Sequence, residues 1–184
     1  MRTATSLSAE GVAAVRARAG NPERADLAEL YDRHASAVYR LLLAMLGSPE
    51  DAQDALSEVF LKTARLDLRR IRSPRAYLLA SARNQAISVL RRRKRETPVA
   101  PSDAVFFDHS RLNREQALLA RRIEAALRDL PPEQREVIVL KVYEELTFAE
   151  IAAVTRARPN TVASRYRYAV EKLRRALQES SQDE

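Results

Sequence analysis

Cysteine is absent from this 184-residue sequence, and glycine and histidine are scarce, with three and two copies. Without cysteine the chain has no disulfide framework, no thiolate nucleophile and no Cys-ligated zinc. The two histidines, His34 and His109, are too few for a typical histidine-based metal site. Few glycines and few β-branched runs favour helices over sheets. We therefore expect an all-α protein with no metal and no cofactor.

The sequence also lacks a long apolar run. No stretch approaches the length of a membrane-spanning helix, and the first residues hold no signal-peptide apolar core. We therefore expect no membrane insertion and a location in the cytoplasm. Lys and Arg outnumber Asp and Glu by 32 to 25, for a formal net charge of +7. This balance favours a polyanionic partner, either nucleic acid or an anionic membrane surface.

Periodicity and breakers predict two small helical domains joined by a flexible linker. The predicted divisions are an N-terminal extension at 1–24, a first domain at 25–96, a linker at 97–113 and a second domain at 114–180. The extension is rich in Ala, Arg and Ser, which predicts a frayed tail or a short extra helix. The linker holds two prolines and an unexpected Phe106-Phe107 pair, a candidate for docking elsewhere.

Helix signals in the first domain are local. Apolar residues recur at helical spacing from Asp26 until Gly47, and Ser48 with Pro49 begins a second helix that runs to about Leu66. In that start we expect Asp51 to reach back to the cap. Ser73-Pro74 repeats the signal and begins a third helix, from Arg75 to about Arg95.

In the second domain, helical pattern runs from Arg114 to Leu130 and from Glu133 to Glu145. Residues 147–175 then predict a helix-turn-helix. Thr147 and Glu150 form a capping box, and Pro159 begins the second helix. The apolar stripe of that helix is Val162, Tyr166, Ala169 and Leu173.

The start of the second helix in such a motif enters the major groove of DNA. The outward residues expected to meet bases and phosphates are Asn160, Thr161, Ser164, Arg165, Arg167 and Tyr168. The alternative is an amphipathic helical hairpin with a solvated basic face. The capped short helix, the four-residue turn and the small Ala152 and Ala169 favour the tight crossing of a helix-turn-helix.

Two charged stretches set this chain apart from a simple repressor. Asp51, Asp54 and Glu58 fall within about 60° of one another on a helix. This acidic stripe is either a solvated helix face or a docking surface for a basic partner. It could also suggest a metal-dependent nuclease, but carboxylates on one regular helix converge poorly on one ion. The Arg91–Arg95 run is either favourable charge at a helix C-terminus or a contact for DNA phosphates.

These stretches, taken in order, resemble extracytoplasmic-function (ECF) sigma factors. DLAELYDRHASAVYRLLLAMLGSPEDAQDALSEVFLKTAR resembles the first conserved part of sigma region 2, and AYLLASARNQAISVLRRRKR its promoter-melting and minus-ten helix. ALRDLPPEQREVIVLKVYEELTFAEIA and PNTVASRYRYAVEKLRRAL resemble region 4, which reads the minus-thirty-five element. The resemblance implies a region 2 bundle, a region 4 helix-turn-helix and a non-enzymatic subunit that starts transcription. The other reading is a stand-alone helix-turn-helix regulator.

The resemblance also implies partners and residue roles. One set would dock on the β′ clamp helices of core RNA polymerase: Asp51, Asp54, Glu58, Val59 and Phe60. A second would hold the opened minus-ten strand: Tyr77, Arg83, Asn84, Arg91, Arg92, Arg93, Lys94 and Arg95. The third, the outward set of the helix-turn-helix, would read the minus-thirty-five duplex of promoter DNA, while region 4 also contacts the β flap. An anti-sigma factor is the expected inhibitor.

The sequence departs from the family pattern at several positions. Tyr77 stands where the family usually has Trp, and we expect it to pack rather than to stack on a base. Ala64 replaces another Trp, and Arg156 occupies a turn position where glycine is common, so that turn should be slightly strained. These departures concern the preferred DNA sequence, not the class of protein.

Overall fold

A computed structural model describes residues 22–96 and 113–179 of the chain. These residues form α-helices and two short helical turns and contain no strand, which confirms the all-α prediction. The expectations for residues 1–21 and for 97–112, including Phe106-Phe107, lie outside the described ranges, as do residues 180–184.

Three helices make the N-terminal unit: α1 (Pro22–Leu46), α2 (Pro49–Thr63) and α3 (Pro74–Glu96), with a 3₁₀ turn at Leu68–Arg70. α1 begins four residues before the predicted Asp26, because Pro22 suits the first helical position, where no N–H is needed. α2 ends before the predicted Leu66, since the amides of Arg65 and Leu66 bond three residues back in a tightened turn.

The break between α1 and α2 follows the predicted chemistry in part. Gly47 adopts a φ of +68°, and its N–H donates to the Leu43 carbonyl at 2.8 Å. The Ser48 hydroxyl accepts from the Asp51 N–H at 3.2 Å. The predicted return contact is wrong, because the Asp51 carboxylate is paired with the Arg93 guanidinium of α3 instead.

The C-terminal unit holds α4 (Arg114–Arg128), α5 (Pro132–Ile138), α6 (Phe148–Thr155) and α7 (Pro159–Glu179). The predicted regular helix up to Glu145 is wrong in its second half, where Val139–Tyr143 is π-helical. The Glu144 N–H donates to the Val139 carbonyl at 3.1 Å, five residues back, and Glu145 has a φ of +54°. This wider turn buries Glu144.

The two units share one continuous apolar core. Leu41, Leu56 and Leu78 of the N-terminal unit are fully buried in the same cluster as Leu140 and Ile151 of the C-terminal unit. A smaller cluster lies between α4, α5 and α7, around Leu127 and Ala169. Burial of this apolar surface is the main force that holds the units together.

Polar contacts fix the packing of the two units. Glu144, almost fully buried, accepts from Arg40 of α1 at 2.8 Å and from Arg75 of α3 at 3.1 Å. Arg75 also donates to the Glu144 carbonyl oxygen at 2.6 Å, and Arg135 donates to the Ala44 carbonyl oxygen at 2.9 Å. The buried carboxylate and its two arginines thus compensate one another's charge across the interface.

Candidate nucleic-acid and polymerase interfaces

The first helix of the helix-turn-helix is capped as predicted. The Thr147 hydroxyl accepts from the Glu150 N–H at 3.2 Å, and the Glu150 carboxylate accepts from the Thr147 N–H at 2.7 Å. The Thr147 hydroxyl also donates to this carboxylate, and the hydrogen bonds donated by the Thr147 N–H and hydroxyl hold the pKa of the Glu150 carboxyl below its ordinary value. At the other end of α6, Arg156 has φ +53° and ψ +34°, which confirms the expected strain at this turn.

The crossing of α6 and α7 positions the second helix. Ile151 and Val162 are fully buried at the crossing, and the rings of Phe148 and Tyr166 lie 5.6 Å apart. Ala169, also fully buried, permits the close approach of α7. The predicted apolar stripe of α7 is confirmed, and at the start of α7 the residues beside Val162, Asn160 and Thr161, face solvent.

The outward set of α7 is mostly available. Asn160, Thr161, Arg167 and Tyr168 are exposed, whereas Ser164 and Arg165 are half-buried. The Arg167 guanidinium lies 5.1 Å from the centre of the Tyr168 ring, a cation–π contact on the surface of α7. Arg165 lies close enough to Glu136 for its charge to lower the pKa of that carboxyl.

The predicted acidic set of α2 divides into surface and core. Asp54 and Glu58 are exposed, but Val59 and Phe60 are buried, with the Phe60 ring 4.8 Å from that of Tyr31. Leu61 lies on the same face, nearly one turn beyond Glu58, and is 59% exposed. Sequence reasoning missed Leu61, although its spacing of three from Glu58 and seven from Asp54 was the available signal.

The basic set lies along α3. Asn84, Arg91, Arg92, Lys94 and Arg95 are exposed. Tyr77 is half-buried against the core, in agreement with the expected packing role.

Arg93 and Arg83 of the basic set contact other helices of the protein. Arg93 pairs with Asp51 and donates to the Leu46 carbonyl oxygen at 3.0 Å. Arg83 donates from Nε to the Glu136 carboxylate of α5 at 2.6 Å, with side-chain exposures of 16% and 2%. Burial raises the pKa of the Glu136 carboxyl, and the charge and hydrogen bond of Arg83 oppose that rise. No motif or periodicity in the sequence predicts this pair.

Comparisons with known proteins agree with this layout. Residues 30–96 match Sigma-70 region 2, and residues 120–173 match Sigma-70 region 4. The ECF sigma factor SigL of Mycobacterium tuberculosis is 33% identical over 162 residues, which span 85% of this chain and 92% of SigL. The chain is an ECF RNA polymerase sigma factor. As a member of that family it directs RNA polymerase to promoters and is not catalytic.

Other relatives of this sigma factor agree. The RNA polymerase sigma-H factor of Pseudomonas aeruginosa is 32% identical, over 89% of this chain and 91% of its own. Among solved structures, RpoE of Bartonella quintana in complex with the anti-sigma factor NepR has a TM-score of 0.63 at 20% identity, covering 83% of this chain and 97% of RpoE. CnrH in complex with the cytosolic domain of CnrY has a TM-score of 0.60 at 22% identity, with 94% and 96% covered. At these identities the solved structures support the fold.

The two predicted sets in the N-terminal unit of this sigma factor lie within the region 2 match, and the outward set of α7 lies within the region 4 match. Within residues 22–96 and 113–179, no group of three His, Asp or Glu side chains is placed to hold a metal ion. No helix in these ranges is long and apolar enough to cross a membrane.

Proposed function

We propose that this sigma factor binds core RNA polymerase through α2, holds the opened minus-ten strand along α3 and reads the minus-thirty-five duplex with the start of α7. The observation that carries the proposal is the exposure of three chemically distinct surfaces in their matched regions. An acidic face and a basic face lie on adjacent helices of region 2, and the recognition helix projects from region 4. All of this takes place in the cytoplasm, where polymerase acts on promoter DNA.

The polymerase contact is the exposed face made by Asp54, Glu58 and Leu61. Two carboxylates beside an exposed leucine suit a partner surface that offers basic and apolar side chains together. The β′ clamp helices are the partner implied by the family. Val59 and Phe60 support this face from the core, and Asp51 joins it once Arg93 is released.

The minus-ten contact is the exposed cationic run of α3. Arg91, Arg92, Lys94 and Arg95 are exposed to solvent, where their charges can neutralise phosphates with release of counterions. Arg83 reaches DNA only after it leaves Glu136. Since Glu136 belongs to region 4, full engagement of the minus-ten strand requires regions 2 and 4 to separate.

Region 4 offers a second surface besides the recognition helix. An open apolar groove of about 910 Å³ lies between α4, the π-helical turn and α7, with Ile123, Val142, Leu173 and Leu177 among its lining residues. An apolar helix fits such a groove, and the β flap is the occupant implied by the family.

The solved RpoE and CnrH are in complex with NepR and with the cytosolic domain of CnrY, and we propose a dedicated anti-sigma factor for this chain as well.

The test is core-polymerase binding and run-off transcription with charge-reversed variants. We expect Asp54→Arg and Glu58→Arg each to weaken core binding by about tenfold and to lower promoter-dependent transcript accordingly, because each places a cation against a basic surface. Glu29→Arg is the control, since it reverses an equally exposed carboxylate on α1. Wild-type binding by both variants, or no transcript from the wild-type chain with core polymerase, contradicts the proposal.

A further inference from the structure

A polar cleft of about 540 Å³ lies between α3 and the turn that joins α6 to α7. Its walls come from both regions of the protein. Five polar residues on α3 and one arginine in the turn line it: Arg83, Asn84, Ser88, Arg91, Arg95 and Arg156.

Positive charge in this cleft exceeds the negative charge that compensates it. Four arginines line it, and within residues 22–96 and 113–179 the one carboxylate that pairs with any of them is Glu136, bound to Arg83. Arg95 donates to the Arg91 carbonyl oxygen, and within the described residues no carboxylate pairs with Arg91 or Arg156. Like charges that share a concave site repel one another and raise the local concentration of anions.

Arg156 forms the part of the cleft wall that comes from region 4. Arg156 occupies the left-handed conformation that follows α6, where glycine is the unstrained residue. Here the side chain supplies the region 4 cation of the cleft, whereas Arg158, two residues later, does not line it.

We propose that this cleft binds a compact anion with several linked phosphate groups, such as a triphosphate chain. Guanidinium groups bind phosphate oxygens through paired, charge-assisted hydrogen bonds. Asn84 and Ser88 add neutral donors, and the volume is that of a small-ligand site. Because both walls are needed, the bound anion joins region 4 to region 2. It also occupies arginines that the minus-ten strand uses, so this site goes beyond promoter binding.

Calorimetric titration of the full chain with inorganic triphosphate tests the site. We expect binding in physiological salt, weakened by about tenfold in Arg91→Ala and in Arg156→Ala, since each removes a charge-assisted contact. Lys94→Ala and Arg158→Ala are the matched controls, each a neighbouring cation outside the cleft, and both should bind within about twofold of wild type. Equal losses in controls and cleft variants would indicate diffuse attraction and overturn the proposal.

Three further measurements complete the experiment. Arg156→Gly removes the guanidinium and relieves the positive φ, so a folded variant with weakened binding excludes misfolding as the cause. Orthophosphate should bind at least tenfold more weakly than triphosphate, and equal affinity overturns the need for linked phosphates. If ATP and triphosphate bind with equal affinity, the site recognises the phosphate chain, and if ATP binds more tightly, it recognises a nucleotide.

Absence of triphosphate binding, or binding that depends on Arg91 but not on Arg156, overturns the proposal. Polymerase and DNA are absent, so the outcome is independent of the transcription test.

Discussion

The ion pair between Arg83 and Glu136 provides a quantitative test of how regions 2 and 4 pack. Glu136 is almost fully buried and Arg83 mostly so, and their atoms lie 2.6 Å apart. Removal of one partner from a buried pair costs about 3–5 kcal/mol. Arg83→Met should cost somewhat less, about 2–4 kcal/mol, because Glu136 can take up a proton. Glu136→Gln keeps a hydrogen-bond acceptor and should cost about 1 kcal/mol.

The cost should appear as separation of the two units, because the pair joins them. An effect of about 2–4 kcal/mol shifts the ratio of packed to separated molecules by roughly 30-fold to 1,000-fold. Energy transfer between dyes on Ser57→Cys and Ala153→Cys reports this ratio. Both positions are exposed, and the chain has no native cysteine to compete for the dyes.

Protonation of Glu136 gives the same prediction a pH dependence. The pKa of the Glu136 carboxyl is raised in the packed state. At a pH between its ordinary pKa and the raised pKa, the packed state therefore binds more protons than the separated state. Protonation of Glu136 thus favours packing at low pH, and this stabilisation is lost as pH rises through the raised pKa. Arg83→Met removes a charge that lowers this pKa. The variant should consequently recover packing on acidification more strongly than the wild type does.

A double-mutant cycle and a surface control make the test decisive. The double variant Arg83→Met/Glu136→Gln should cost less than Arg83→Met alone, with a coupling of about 1–3 kcal/mol. Arg33→Met breaks the exposed pair with Glu29 and should change packing by less than about 0.5 kcal/mol. If Arg83→Met behaves like Arg33→Met and the coupling is zero, the packing of regions 2 and 4 through this pair is refuted.

Three further predictions concern the two DNA surfaces and the cap of α6. Arg167→Ala should weaken binding to minus-thirty-five duplex DNA, whereas alanine replacement of the Arg91–Arg95 run should chiefly impair melting. Unchanged permanganate reactivity of the minus-ten strand after the second replacement would contradict that division. Thr147→Ala removes the hydroxyl cap of α6 and should lower the free energy of unfolding by about 1 kcal/mol, as measured by urea denaturation; Ser57→Ala, an exposed hydroxyl within α2, is the control and should change it by less than half as much.

Local chemistry made much of the fold predictable. A residue that breaks or starts a helix does so through its own backbone and its nearest neighbours. Gly47, Pro159 and the Thr147–Glu150 capping box therefore mark real helix boundaries. The period of apolar residues similarly identified the buried face of α7. The recognition helix was the best predicted candidate surface for the same reason.

Long-range pairing accounts for what the sequence did not reveal. Glu136 and Glu144 read as ordinary helix-surface residues, but their arginine partners lie 53 and up to 104 positions away. Burial of Val59 and Phe60 likewise depends on how α2 rotates against α1. No periodic or capping signal predicts such contacts. Because the chain has many arginines and glutamates, the sequence alone does not show which of them pair.

The burial of Glu136 also determines which partner can separate regions 2 and 4. A DNA phosphate offers Arg83 a contact in solvent, worth about 1 kcal/mol and weakened by salt. Leaving Glu136 buried without its cation costs more than that contact returns. DNA alone therefore does not remove Arg83 from Glu136 while region 4 stays packed. The proposed opening therefore needs a partner that engages both regions and hydrates Glu136 as they part, and core polymerase meets this requirement if it binds α2 and region 4 as proposed above.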